Sequence, residues 1–228
     1  MKALVIAAHP DDEVLGCGAT IAKHTQRGDE VHVLILAEGA TSRKERRNRL
    51  ESVEDLSELA DAAKKARDIL KVNVLMLHDL PDNRMDSIDV LEVVKIIEQY
   101  IQSFRPEIIY THHAGDLNID HRITHEAVVT ACRPVPGSPI RTLLFFEIPS
   151  STEWMTGSLT SAFTPNWYVD VSDTLENKIE ALKAYHKEMR SWPHPRSLEA
   201  VTHLARWRGS TVGVAAAEAF ITGRNLIK

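Results

Sequence analysis

Residues 2–13 read KALVIAAHPDDE, a short apolar run with β-branched Val5 and Ile6 at its centre that stops at His9 and Pro10. An unbroken apolar run of this length is the pattern of a parallel strand covered on both faces, and Pro10, with no N–H for a ladder, ends it. One imidazole and three carboxylates, His9, Asp11, Asp12 and Glu13, are therefore delivered together at the C-terminal end of a strand. Ligands bind at that edge in open α/β sheets. So dense an anionic cluster is unfavourable there unless a proton or a cation neutralises part of it, and a metal ion is the simplest such cation.

Outward from this stretch, strand-like runs recur at 31–37, 74–77, 108–111 and 143–147, separated by stretches of helical periodicity. That alternation predicts an α/β fold: a Rossmann-like, doubly wound, mostly parallel sheet with helices on both faces. Ile88, Leu91, Val94, Ile97 and Ile101 share one helical face, which predicts a helix over 87–104 that stops before Pro106. Turn-forming residues over 134–139 and 149–156 mark the end of regular winding. The chain reads as one domain, 1–228, with a core at 1–148 and a small C-terminal cap at 149–228. The cap carries a strand over 167–171 and an amphipathic helix from Ser172 or Asp173 to about Met189.

The 228 residues carry a net charge of −5, which offers no general attraction to nucleic acid or to an anionic membrane. Cys17 and Cys132 lack metal-knuckle spacing and read as buried core residues of a reducing compartment. No apolar segment reaches transmembrane length, and the first eight residues are too short for a secretory core, so a cytoplasmic location is expected. The basic run from Arg43 to Arg49 reads as a solvated helix face. Arg43 follows the second strand most closely and is singled out as a substrate or oxyanion contact.

A hydrolytic zinc site needs three protein ligands and an open position. His9 and Asp12 can turn toward one point from a single loop, and the richest source of a third ligand is 111–121, THHAGDLNIDH. The first and fourth strands of a doubly wound sheet can be neighbours at its switch point, which would set these loops face to face. His121 and His125 lie four residues apart on one helical face, but a zincin pair wants a glutamate after the first histidine, where Arg122 stands. His125 is read as a packed or supporting histidine. Asp116 and Asp120 are read as partners that orient histidines.

HPDDE at 9–13, together with Asp120-His121 at the start of a helix, resembles the LmbE-like or PIG-L-type zinc N-deacetylases, which remove acetyl groups from N-acetylated amino sugars. The resemblance extends to PDNR at 81–84 and HPRS at 194–197. It implies a Zn²⁺ cofactor held by His9, Asp12 and His121, with Asp11 as general base, and a small-molecule N-acetyl amino sugar or glycoconjugate as partner. Other divalent transition metals suit the same donors. It further implies that Asp82 helps to fix the substrate or a catalytic side chain, and that the protein is a homo-oligomer, for which Trp192 and Trp207 could supply an interface.

Two positions depart from the family pattern. Asn118 stands where many relatives carry a histidine, and an amide can donate to an oxyanion but cannot carry the leaving-group proton. Acid duty then falls to Asp11 itself, His194 or His125. The arginine that relatives carry ahead of a glutamate on the helix after the second strand has no clear match in 59–70, and Arg43 is the substitute. Two other readings stand beside this one: a metallohydrolase of a non-sugar N-acyl amide, and a non-catalytic nucleotide-binding module. For the last, Gly16 and Gly18 lack a third glycine at Ile21, and they read instead as contacts that bring a helix close to the sheet.

Overall fold

The computed structural model of the chain describes residues 1–43, 46–156 and 162–227, with the side chain of Arg43 outside the described set. Regular winding runs from β1 (Lys2–Ala7) through α1 (Asp12–Gln26), β2 (Glu30–Ala37), α2 (Val53–Leu70), β3 (Val74–Leu80), α3 (Val90–Phe104), β4 (Ile108–His112) and α4 (Ile119–Ala131) to β5 (Thr142–Phe146). Then follow β6 (Trp167–Asp170), α5 (Leu175–Ala184), α6 (Leu198–Ser210) and β7 (Ala217–Asn225). The strands form one sheet in the order β3-β2-β1-β4-β5-β7-β6. The five strands from β3 to β5 are parallel, while β7 runs antiparallel to both β5 and β6. This is the doubly wound, mostly parallel sheet that the alternation of runs predicts.

Both faces of β1 are covered, as its unbroken apolar run requires. Ala3, Val5 and Ala7 join a core with residues of α1, α2 and α5, whereas Leu4 and Ile6 join a second core with residues of α3 and α4. β1 pairs with β2 on one side and with β4 on the other, where Val5 lies opposite Tyr110. The chain thus winds outward from β1 in both directions and opens a crevice where the ends of β1 and β4 adjoin. The segments after Ala7 and after His112 meet at that crevice.

Gly16 faces Phe146 of β5, and a Cβ on it would come within 2.4 Å of that ring. The glycine is therefore a helix-to-sheet contact, as the absence of a third glycine suggests. At Cys17 the backbone of α1 leaves helical geometry (φ −150°, ψ 27°). Buried side chains complete the interrupted hydrogen bonds: Lys178 Nζ donates to Leu15 O (2.7 Å), and Glu218 accepts from Ala19 N (3.2 Å) and Thr20 N (2.7 Å). Lys178 and Glu218 also pair with each other at 2.6 Å, which is how two buried charges are tolerated.

The bounds of two helices differ from expectation, and two elements are additional. The stretch from 87 begins as a short 3₁₀ turn, Met85–Ser87, and Ile88 is extended before α3 opens at Val90. The helix expected to reach Met189 stops at Ala184, where Tyr185 leaves helical geometry (ψ 36°) with its side chain buried. α6 and β7 were not anticipated, although Ser197 caps α6 by accepting from Ala200 N at 3.0 Å. β7 has no clean alternation because its Glu218 is buried through Lys178 and not through an apolar partner. The C-terminal strands extend the main sheet edge-on, and α5 packs on α1 and α2.

Candidate active site and metal centre

β1 ends at Ala7, and the turn through His9 and Pro10 leads to Asp11, which stands at the N-cap of α1, so that Asp12 opens the helix. Across the crevice Asn118 caps α4 by accepting from Asp120 N at 2.8 Å, which places Asp120 and His121 in the first turn. The two helix starts face one another. Asp12 Oδ2 lies 3.2 Å from His9 Nδ1 and 3.2 Å from His121 Nε2. Donor atoms of His9, Asp12 and His121 all fall within 4.8 Å of one another, as do those of His9, Asp82 and Asp120.

The first of these groups fits a cation. Asp12 is fully buried, and its Oδ1 has no hydrogen-bond partner among the described residues. An unpaired, buried carboxylate oxygen is costly, and a cation among two imidazoles and a carboxylate would satisfy it. In the second group Asp120 is already committed: Oδ1 accepts from Met85 N (2.9 Å), and Oδ2 accepts from Asn83 N (2.6 Å) and lies 2.9 Å from His9 Nε2. Asp120 thereby orients His9, and Asp116 Oδ1 lies at ion-pair distance, 3.0 Å, from His121 Nδ1. Asp116 is in turn held by the hydroxyls of Ser151 and Thr152.

Burial disfavours a charged His9, but the bonds to Asp12 and Asp120 outweigh it and hold the imidazole well above its ordinary value. His121 is likewise opposed by burial and raised by Asp12 and Asp116, to about 9. Burial pushes Asp12 up, yet the charge of His121 and the bonds from His121 and His9 pull it well below the usual carboxylate range. His112, buried under His121 with ring centroids 4.0 Å apart and accepting from Ala8 N at 2.8 Å, is held neutral chiefly by burial. A donor set that binds protons this strongly must release them to bind a metal.

Asp11 is set apart from the ligand group. Its φ of 115° lies in the left-handed region, at a general cost of ~1–3 kcal/mol for a residue with a Cβ. Asp11 N donates to Glu13 Oε2 at 3.0 Å, and Arg196 Nη1 donates to Asp11 Oδ2 at 2.8 Å. Oδ1 makes no hydrogen bond to a described residue. Burial raises the Asp11 carboxyl, Arg196 opposes it, and the outcome is about 8. Glu13 is raised to about 7, mainly by burial, although Tyr185 Oη donates to its Oε1 at 2.6 Å.

The remaining expected residues divide. Asp82 is buried beside the cluster, with Oδ1 at 3.4 Å from His9 Nε2 and Oδ2 accepting from Ser42 N at 2.9 Å. Asn118 uses Oδ1 for the cap and donates through Nδ2 to Asn83 Oδ1 at 2.8 Å. His125 belongs to neither ligand group; its Nδ1 lies 2.9 Å from His112 O and its ring packs on Phe145. His194 accepts from Arg196 N at 3.0 Å and rests against Trp154. The Arg43 side chain lies outside the described residues. Sequence reasoning did not single out Arg196, Tyr185 or His112. For Arg196 a signal existed, since HPRS at 194–197 was already noted, whereas Tyr185 sits in a helix tail with no motif.

The chain matches the PIG-L family model, described as GlcNAc-PI de-N-acetylase, over residues 4–132. An uncharacterised deacetylase of Escherichia coli strain K12 is 27% identical over 192 residues, covering 80% of this chain and 89% of that protein. The diacetylchitobiose deacetylase of Thermococcus kodakarensis is 28% identical over 200 residues, covering 82% and 70%. The fold is shared with the 4-carboxy-2-hydroxymuconate hydratase of Pseudomonas putida (TM-score 0.75, 22% identity, covering 100% of this chain and 98% of that one). The architecture therefore does not by itself choose the reaction, which must be argued from the site.

Proposed function

This chain belongs to the PIG-L family, matched over more than half its length, and from that premise we propose that it is a zinc-dependent N-deacetylase acting on an N-acetylated amino sugar or a conjugate of one. His9, Asp12 and His121 would hold the metal, and Asp11 is the general base. The observation that carries this reading is the buried Asp12, whose Oδ2 lies 3.2 Å from the imidazoles of His9 and His121 and whose Oδ1 has no hydrogen-bond partner among the described residues, next to the buried carboxyl of Asp11. The chemistry that a bound zinc ion supplies is Lewis-acid activation of water and of the amide carbonyl.

The chain's own residues do the rest. Arg196 fixes Oδ2 of Asp11 and leaves Oδ1 to take the proton of the attacking water. A carboxylate held beside the metal ligands can accept that proton and pass it to the departing amine. Asp11 therefore serves as base and then as acid. This role is consistent with Asn118, whose amide caps α4 and carries no transferable proton. Asp120, Asp116 and Asp82 keep the imidazoles oriented, and His125, bonded to the backbone and packed on Phe145, takes no part in proton transfer.

The same proposal keeps the chain as a single deacetylase domain, whose 149–228 part adds β6 and β7 to the edge of the main sheet and packs α5 on α1 and α2. Assembly of copies through the C-terminal face, where Trp192 and Trp207 are 55% and 65% exposed, belongs to it as well. So does a cytoplasmic location; among the described residues no helix is long and apolar enough to cross a membrane. The test is acetate release from a panel of N-acetylhexosamines and their conjugates, run against N-acetyl amino acids, with zinc-loaded protein. Turnover confined to the amino-acid amides would replace the sugar reading, and no turnover with any amide would remove the deacetylase reading.

A further inference from the structure

Asp11 has two kinds of support, and only one belongs to its carboxylate. Its backbone carbonyl accepts from Val14 N (3.1 Å) and Leu15 N (2.8 Å) and so starts α1. Its backbone N–H, turned inward by the left-handed φ, meets the Glu13 carboxylate two residues ahead (3.0 Å). A glutamate in the first turn of a helix is ordinarily explained by the helix dipole. That explanation does not account for a side chain that is 4% exposed and folded back on the preceding residue. Nor does it account for the second Glu13 oxygen, which accepts from Tyr185 Oη at 2.6 Å, 172 residues away in sequence. Tyr185 is 1% exposed and stands where the chain leaves α5.

We propose that Glu13 and Tyr185 are positioning residues: Tyr185 pins the Glu13 carboxylate, and Glu13 holds the Asp11 backbone in the conformation that presents its carboxyl to the ligand cluster. Neither residue touches substrate. The inference about catalysis rests on the deacetylase reading, whereas the backbone restraint does not. A left-handed aspartate whose N–H has lost its acceptor would relax toward ordinary φ values and carry its carboxyl away from the cluster.

The experiment compares Tyr185→Phe, Glu13→Ala and Glu13→Gln with the unaltered zinc-loaded protein. Tyr185→Phe keeps the buried ring and removes only the hydroxyl, so folding is preserved even if Glu13→Ala is poorly tolerated. Amide hydrogen exchange at Asp11, followed by NMR, speeds up roughly tenfold in Tyr185→Phe. In the same variant kcat for acetate release falls about tenfold, with KM and zinc stoichiometry unchanged. Glu13→Ala shows both effects more strongly, and Glu13→Gln, which retains an acceptor for Asp11 N–H, recovers most of the loss. A lowered melting midpoint in Tyr185→Phe with unchanged Asp11 exchange and unchanged kcat would overturn the proposal and leave Tyr185 as a packing residue. Faster exchange with unchanged kcat would equally overturn the link to catalysis. Should no substrate turn over at all, the exchange measurement still decides the restraint separately from the function.

Discussion

The ligand cluster and the surroundings of Asp11 are built from different parts of the chain. His9, Asp12 and His121 come from two segments that each follow a parallel strand at the switch point, and their orienting partners Asp82, Asp116 and Asp120 lie within the same winding. Asp11 begins in that winding, but the groups that fix it, Arg196 and Tyr185, come from the C-terminal part, where regular alternation has stopped. On the proposed function, binding a metal would depend on the doubly wound core, while setting the base would depend on elements added beside it. The two can be separated by mutation.

The largest effects should fall on the core side. Asp12→Ala or His121→Ala should lose zinc, read by elemental analysis, and should lower kcat/KM by about 10³-fold or more as the metal's contribution disappears. Asp11→Asn should keep its zinc and lose about 10²–10⁴-fold in kcat, the range for removing a general base. If that variant also lost its metal, the separation between cluster and base would fail. On the C-terminal side, Arg196→Met leaves the buried Asp11 carboxylate unpaired. It should lower kcat by about 10- to 100-fold, with zinc content unchanged, because the base is mispositioned and not removed.

Proton linkage gives a smaller, graded effect. His121 (about 9), Asp11 (about 8) and Glu13 (about 7) all have folded values above their ordinary ones. These three groups bind more protons in the metal-free fold than in the unfolded chain, whereas His24, His32, His78, His112 and His125, all lowered by burial, act in the opposite sense near their ordinary value and are neutral in both states at higher pH. The stabilisation the three raised groups provide is complete only below their unfolded values and is lost as pH rises through the folded ones. Metal-free protein should therefore melt at progressively lower temperature from about pH 7.5 to about pH 9.5 in calorimetry, above the range in which the lowered histidines titrate, and saturating zinc should flatten that slope by replacing the protons. A metal-free midpoint that rises over this interval would contradict the arrangement. Least affected should be Asn118→Ala, which removes the α4 cap and costs about 1 kcal/mol in denaturant unfolding without removing zinc.

How much of this could be read in advance follows from the kind of signal each residue carries. His9, Asp11, Asp12 and His121 sit at strand and helix ends marked by local patterns: an apolar run cut by proline, and an Asp-His pair opening an amphipathic helix. Asp120 and Asp116 were legible as orienting partners because they are close in sequence to the histidine they serve. Arg196 stood in a noted motif, but its neighbour His194 drew attention because imidazoles carry protons, although the guanidinium is what reaches Asp11. Tyr185 and β7 had no local mark. A tyrosine in a helix tail looks like any core aromatic, and a strand bearing Glu218 looks exposed until Lys178 is known to face it.

The sequence by itself determined the parallel core and the strand edge at which the candidate ligands gather, while the set His9, Asp12 and His121 came from the family resemblance. The core and the edge follow from short-range periodicity and from how many charges a strand end can carry unaided. Only the tertiary structure decided that β1 and β4 adjoin, that Asp12 Oδ1 is left without a partner, and that Glu13, Tyr185 and Arg196 converge on Asp11. Apart from the Glu13–Asp11 bond, which depends on the left-handed turn at Asp11, these are contacts between residues more than a hundred positions apart, or consequences of burial, and a hydrogen bond across that separation imposes no period on the chain that makes it.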